Sequence, residues 1–435
     1  MKDNVVKNIS DSFRINSVEA IAEAFAGELE RALHNRPSSL KILPSYLSSP
    51  TGQERGEYIA VDLGGTNVRV MAVSLLGQGR SIITKQISRP LADAGQGYDL
   101  TAAASTGRDM FAFIAGLVEE VRLEGQSYKL GLTFSYPMQQ DAVDKARLLE
   151  WTKEIKTSAT VGRDIKLMLT EALEGRGLYP IMPTAIINDT VAAFMAGAYS
   201  EPAVCAGSIC GTGHNTCYCE PSLYTPSGLP MIVNIEAGNF AAVPENFYDR
   251  RLDSQSLDPG KQRLEKMVSG KYMGELFRLV FLDLLDQQIL PSPYGGQNCI
   301  NQPFMLGAEV LSWLRADAPL ARKQLDDWLC QQGFPHYRDQ DIAMLKAAGH
   351  AIIDRAVQLI AASYLAVTER SRQLKQGQAV AVDGSVFLKL PGFAAAVEKL
   401  INQHREGYPA VALIPVANGS SLGAAVAAAQ EGRSM

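Results

Sequence analysis

Three short stretches of this chain carry residue types in spacings that suit chemistry on phosphate and alcohol groups. In Asp62-Leu63-Gly64-Gly65-Thr66-Asn67 two glycines let backbone N–H groups close on an anion, and Thr66 adds a hydroxyl donor. Asp62 could hold Mg²⁺ through water, and Arg69 could offset phosphate charge. Gly211-Thr212-Gly213 repeats the device in the second half of the chain. Either turn alone also fits an ordinary hairpin, but a nucleotide in a cleft must be gripped from both sides, so the two reinforce each other. The third stretch, Ile186-Ile187-Asn188-Asp189-Thr190, is an apolar run ending in an amide and a carboxylate. A charge there is costly unless paired or used. Asp189 is then a general base, an N-cap for the helix that follows, or both. A phosphate cradle, a metal and a base are the parts that phosphoryl transfer to an alcohol requires.

Positioning these stretches falls to strands. Tyr58–Asp62 and Val68–Leu75 flank the first turn, and Cys205–Cys210 and Thr216–Glu220 the second. Strand–turn–strand fits neither a Rossmann nor a Walker motif, and no G-x-x-x-x-G-K-[ST] occurs. Apolar residues at three- and four-residue intervals predict helices over Ser17–Leu33, Met110–Arg122, Arg163–Leu173, Val191–Tyr199, Leu264–Leu285, Met344–Leu374 and Gly392–Gln403. Two glycine hairpins amid mixed strands and helices predict two related α/β halves with a cleft between them.

Composition agrees with this. At 435 residues, 46% hydrophobic and 20% charged, the chain is sized for two or three domains. A net charge of −5 shows no nucleic-acid footprint, so an anionic ligand needs local donors. The polar start MKDNVVKNISDSF and the lack of an uninterrupted apolar span lead us to expect a cytoplasmic protein without membrane partners. Of six cysteines, Cys205, Cys210, Cys217 and Cys219 cluster near His214, but without C-x-x-C spacing. They read as buried reduced thiols on two strands, and no resident metal is assigned to them.

Taken together, the motifs resemble the eukaryotic-type hexokinase/glucokinase family of the actin/Hsp70/sugar-kinase superfamily. SLKILPSYLSSPTGQERGEYIAVDLGGTNVRV, LGLTFSYP with EWTK, IINDTVAAFMAGAY, CGTGHNTCYCE, IVNIEAGNF, YDRRLDSQSLDPGKQRLEKMVSGKYMGELFR, VAVDGSVF and NGSSLGAAVAAA carry the likeness across nearly the whole chain. The resemblance implies a two-lobed actin-like ATPase (ribonuclease H-like) fold. Residues 1–190 would form an N-terminal half and 191–435 a C-terminal half, with a last helix near 418–435 packing back toward the small lobe. It implies ATP with Mg²⁺ as phosphoryl donor and a hexose, glucose first, as acceptor at its 6-hydroxyl, supplying glycolysis.

Carried over by position, Asp189 is the base, with Lys153 beside it. Ser135, Thr152, Lys153, Asn188, Asn215, Glu236, Gln262 and Glu265 would contact the hexose. Asp62, Gly64, Gly65, Thr66, Asn67, Arg69, Gly211, Thr212 and Gly213 would handle phosphates and metal, and Gly384, Ser385, Gly419 and Ser420 would lie near the nucleoside. Amides and carboxylates around a ring suit alcohols that both donate and accept. Departures from the family pattern are His214 for a small residue, Ala237 for Trp, Asn239 for Ala, Asn418 for an acid, Ser421-Leu422 for Gly-Lys, and the sequence after WTK. They bear on sugar preference and nucleotide affinity.

Overall fold

The computed structural model describes residues 2–152, 155–291, 299–374, 378–405 and 407–430. Two mixed sheets organise them. The first orders its strands Ile181–Ile187, Tyr128–Phe134, Arg55–Leu63, Asn67–Gly77, Arg80–Pro90; the second Leu43–Pro44, Pro230–Asn234, His214–Tyr224, Val204–Cys210, Ala379–Asp383, Ala412–Pro415. In each, three consecutive strands form an antiparallel meander, and two later strands add in parallel beside the first of the three. Leu43–Pro44 extends the second sheet at its far edge. One plan used twice is what the paired glycine turns predict.

Two helices, Asp189–Ser200 and Gly419–Gln430, lie between the sheets. Their buried faces form one core with Ala60, Met71 and Val73 of the first sheet and Cys217, Ala379 and Ala381 of the second. Small residues make this layer possible. A Cβ on Gly423 would stand 1.9 Å from the Ala192 carbonyl oxygen, and one on Gly131 1.9 Å from that of Ala424. The outer face of the first sheet is covered by Gly107–Val121 and Ile165–Glu174. Helices Val18–Leu33, Gly270–Asp286, Asp339–Ser371 and Phe393–Gln403 cover the second. Asp339–Ser371 is long and apolar enough to cross a membrane, but 78% of its most apolar window is buried inside the protein.

Helical periodicity misreads one segment. Leu264–Leu285 is not a single helix: Arg263–Val268 and Gly270–Asp286 are separated by Ser269, whose backbone is extended (φ −85°, ψ 154°). The break lets the Gly270 N–H donate to the Gly211 carbonyl (2.8 Å), so the chain leaves the helix to brace the second glycine turn. The four clustered cysteines are buried, reduced thiols, two on each strand of that hairpin. Burial pushes Cys205 up to about 11 and Cys210 and Cys219 up to about 12, which leaves them inert.

Candidate active site

The first turn is held from three sides while its tip stays open. Gly64 N–H donates to Asn67 O (3.0 Å), Leu91 N–H to Thr66 O (2.8 Å), and the buried Tyr136 hydroxyl to Gly64 O. Thr66 and Asn67 are exposed, and the Asn67 amide donates to Thr66 Oγ1 at 2.9 Å. Asp62 faces Arg69 across the hairpin, with Oδ2 and Nη1 4.0 Å apart. Arg69 also donates to Asn418 Oδ1 at 3.3 Å. Where an acid is usual in the resemblance, this chain thus presents an amide as acceptor.

The second turn closes through Gly211 N–H to Gly213 O (3.0 Å). It abuts Gly384, where φ is +123° and a Cβ would meet the Cys210 carbonyl oxygen at 2.4 Å, so only glycine fits. Ser385 opens the short helix after Gly384, while Gly419 and Ser420 open the inner helix; the Ser420 carbonyl is held by Thr133 Oγ1 at 2.6 Å. Two charged residues at this end escape the motif reading. Asp383 receives the Gly384 N–H at 2.7 Å. Burial holds its carboxyl above the usual range, partly offset by the Gly384 and Gly419 N–H groups and Arg69, with Asp189 adding to the rise. Lys271 lies on the helix braced against the turn, its N–H directed at Thr212 O (3.4 Å). Both sit inside segments flagged as motifs, and for Asp383 a carboxylate directly before Gly384 was the available signal.

Asp189 is half-buried at the first residue of the inner helix, and the capping role belongs to its neighbour. Asn188 Oδ1 accepts the Thr190 N–H (2.8 Å) and hydroxyl (2.7 Å), while Asp189 Oδ1 also accepts that N–H at 2.8 Å. The expectation of Asp189 as N-cap is corrected accordingly: the amide one position earlier has the extended backbone (φ −76°, ψ 161°) a cap needs.

Asn215, Glu236 and Glu265 come together on the other side of the second turn. Asn215 Oδ1 accepts Thr216 N–H (2.7 Å) and Ala237 N–H (3.1 Å), and its amide donates to Glu236 Oε1 (3.3 Å). Glu265 Oε2 accepts the His214 N–H at 2.9 Å. Glu236 and Gln262 both have left-handed backbones, with φ 49° and 53°. Non-glycine residues tolerate that only where surroundings enforce it, and such strain concentrates at functional sites. His214 is buried, its Nδ1 bonded to Ile209 O at 3.1 Å, and desolvation lowers its pKa to about 4. Ser135 and Thr152 stand on the first-sheet side, after Tyr128–Phe134 and next to Trp151. Trp151 packs edge-on against Tyr136 (4.8 Å between centroids) and donates to Thr157 O (2.8 Å). Lys153 lies outside the described residues.

Among the described residues no three His, Cys, Asp or Glu side chains converge to hold a metal unaided. A hard cation arriving with polyphosphate and retaining its waters needs only one or two carboxylates, and Asp62, partly exposed beside the first turn, is of that type.

Two family models, both described as hexokinase, match residues 5–199 and 205–430. Human Hexokinase-3 is 33% identical over 442 residues, covering 96% of this chain, which spans 46% of the human protein's length. Hexokinase-1 of Oryza sativa subsp. japonica is 33% identical over 443 residues, 94% of this chain and 86% of the rice protein. The solved hexokinase from Schistosoma mansoni complexed with glucose superposes with a TM-score of 0.80 at 26% identity, over 99% of each chain. Both halves, the doubled sheet plan and the two glycine turns are thus accounted for together, and the chain belongs to the hexokinase family.

Proposed function

We propose that this chain transfers the γ-phosphoryl group of ATP to the 6-hydroxyl of a hexose, D-glucose first, in the cytoplasm, giving hexose 6-phosphate for glycolysis. The observation that carries this reading is the position of the second turn. One side abuts Gly384, while at the other end of the turn Glu265 receives the N–H of His214, so an anion-binding turn and a polyol-binding group share one backbone. Asp189 is the base in this reading. Its carboxylate takes the proton of the acceptor hydroxyl and, in a loose transition state, chiefly orients it. Ser135, Thr152, Lys153, Asn188, Asn215, Glu236, Gln262 and Glu265 bind the sugar. With the Asn188 carbonyl oxygen committed to capping, its amide N–H₂ is left to donate.

Gly64, Gly65, Thr66, Asn67, Arg69, Gly211, Thr212 and Gly213 grip the polyphosphate, and Gly384, Ser385, Gly419 and Ser420 the nucleoside. Mg²⁺ would be held through water by Asp62 and would neutralise charge on the phosphates. The lobes divide near residue 190, and closure excludes water from the acceptor's place. The family's Schistosoma member was solved with glucose, which supports a hexose as acceptor. The test is ADP release from ATP·Mg²⁺ across glucose, fructose, mannose and glucosamine, with the product's phosphate position read by NMR. Hexose 6-phosphate from glucose is expected; ATP turnover independent of every hexose refutes the reading.

A further inference from the structure

We infer that Asn234, assigned no role above, is a positioning residue that fixes the direction in which the Glu236 carboxylate faces the sugar; this rests on the hexose-kinase reading. Asn234 ends the strand Pro230–Asn234 and is 5% exposed. Its side chain grips Glu236 at both ends. Nδ2 donates to Glu236 Oε1 at 2.7 Å, and Oδ1 accepts the Glu236 backbone N–H at 3.3 Å. The amide cannot be turned over, because its oxygen would then face a carboxylate oxygen across 2.7 Å.

Glu236 needs such a grip. Its backbone is left-handed (φ 49°, ψ 50°), a strained conformation for a non-glycine residue. A loop of two residues closed by an Asn side chain on the N–H two positions on compensates for that. Asn215 supplies a second donor to the same Oε1, its own amide locked by the Thr216 and Ala237 N–H groups. Two amides thus saturate Oε1 and leave Oε2 without a hydrogen-bond partner among the described residues. A carboxylate with one oxygen occupied and the other available accepts from a single hydroxyl in a fixed direction. Lacking Asn234, the Glu236 side chain could tilt its carboxylate out of that fixed direction, so hydroxyl orientation would be read less strictly.

The test separates positioning from folding. Asn234→Ser retains an acceptor for the Glu236 N–H but cannot reach Oε1, so thermal stability should stay close to wild type. Glucose KM should rise about tenfold or more, with ATP KM changed by less than about twofold. In a Glu236→Gln background the same substitution should add less than about twofold, because its effect passes through the carboxylate. A glucose KM unchanged by Asn234→Ser, or raised by equal factors in both backgrounds, overturns the inference. If Asn234→Ser does not fold, Asn234→Asp decides instead. The introduced carboxyl can donate only when protonated, so glucose KM relative to wild type should fall on acidification, and a pH-independent ratio overturns the role. Should wild type phosphorylate no hexose, the kinase reading fails by itself, and calorimetric glucose affinities in place of KM carry the same comparison.

Discussion

Adding one methyl group at Gly423 is the sharpest test of how the two lobes are joined. Its Cβ would stand 1.9 Å from the Ala192 carbonyl oxygen, where real contacts stay beyond 3.0 Å. The obstacle is backbone on both sides, so no side chain can swing away, and the two inner helices must part by about 1 Å. Overpacking costs about 1–3 kcal/mol, and this rigid contact belongs at the upper end. At about 1 °C per kcal/mol for a chain of 435 residues, Gly423→Ala should melt roughly 3 °C below wild type. Activity should suffer more than stability. One of these helices begins with Asp189 and the other with Gly419, so parting them moves the proposed base relative to the proposed nucleotide side. A misplacement of about 1 Å costs on the order of 10²-fold in turnover. Gly27→Ala is the control of opposite sign: on the Val18–Leu33 helix the new Cβ meets only Arg31 Nη1, at 3.7 Å, and should stabilise by about 0.5–1 kcal/mol. Circular dichroism melts and ADP release with saturating glucose measure both. If Gly423→Ala melts within about 2 °C of wild type with undiminished turnover, the inner helices are not in obligatory contact.

Three further outcomes are expected. Asp189→Asn should lower kcat by about 10²-fold or more while calorimetry still records glucose binding; near-normal kcat would remove Asp189 as base. Glucose added without ATP should change tryptophan fluorescence, and Trp151→Phe should abolish most of that change, since Trp313 and Trp328 pack on the far core around the second sheet; a persistent signal would place the moving element elsewhere. His214 has a folded pKa of about 4, below its unfolded value, so the unfolded chain binds the extra proton between about pH 4 and 6.5. Stability is full above that window and is lost as pH falls through it, by on the order of 3 kcal/mol. His214→Thr should flatten the loss in urea titrations at pH 5 against pH 7, and equal slopes would contradict the buried neutral imidazole.

The turns were legible because each combines two local signals, a β-rich run and glycines, within a dozen residues. Period-based helix readings held where one face meets one core, as in the segment read as Ser17–Leu33, which is the helix Val18–Leu33 with Ser17 as its N-cap. They failed at Ser269, where a bond to Gly211 from another part of the chain overrides periodicity. For Asn188 and Asp189, two residues of similar capping tendency stand side by side, and only backbone angles separate them. The grip of Asn234 on Glu236 was invisible for another reason. Asn two residues before Glu is ordinary in sequence, and its meaning comes from a left-handed turn that no residue type there advertises.

The inner helix Gly419–Gln430 also decides when the first lobe can finish folding. The Thr133–Ser420 hydrogen bond spans 287 residues of chain, and Gly131 is covered by Ala424. A nascent chain can pair the strands Arg55–Leu63, Asn67–Gly77 and Tyr128–Phe134 early, but the sheet face carrying Ala60, Met71 and Val73 stays bare until Gly419–Gln430 leaves the ribosome. Such late closure makes synthesis itself the vulnerable period, with an apolar sheet exposed to neighbouring chains. A refolding yield that falls as chain concentration rises is the outcome expected of that arrangement.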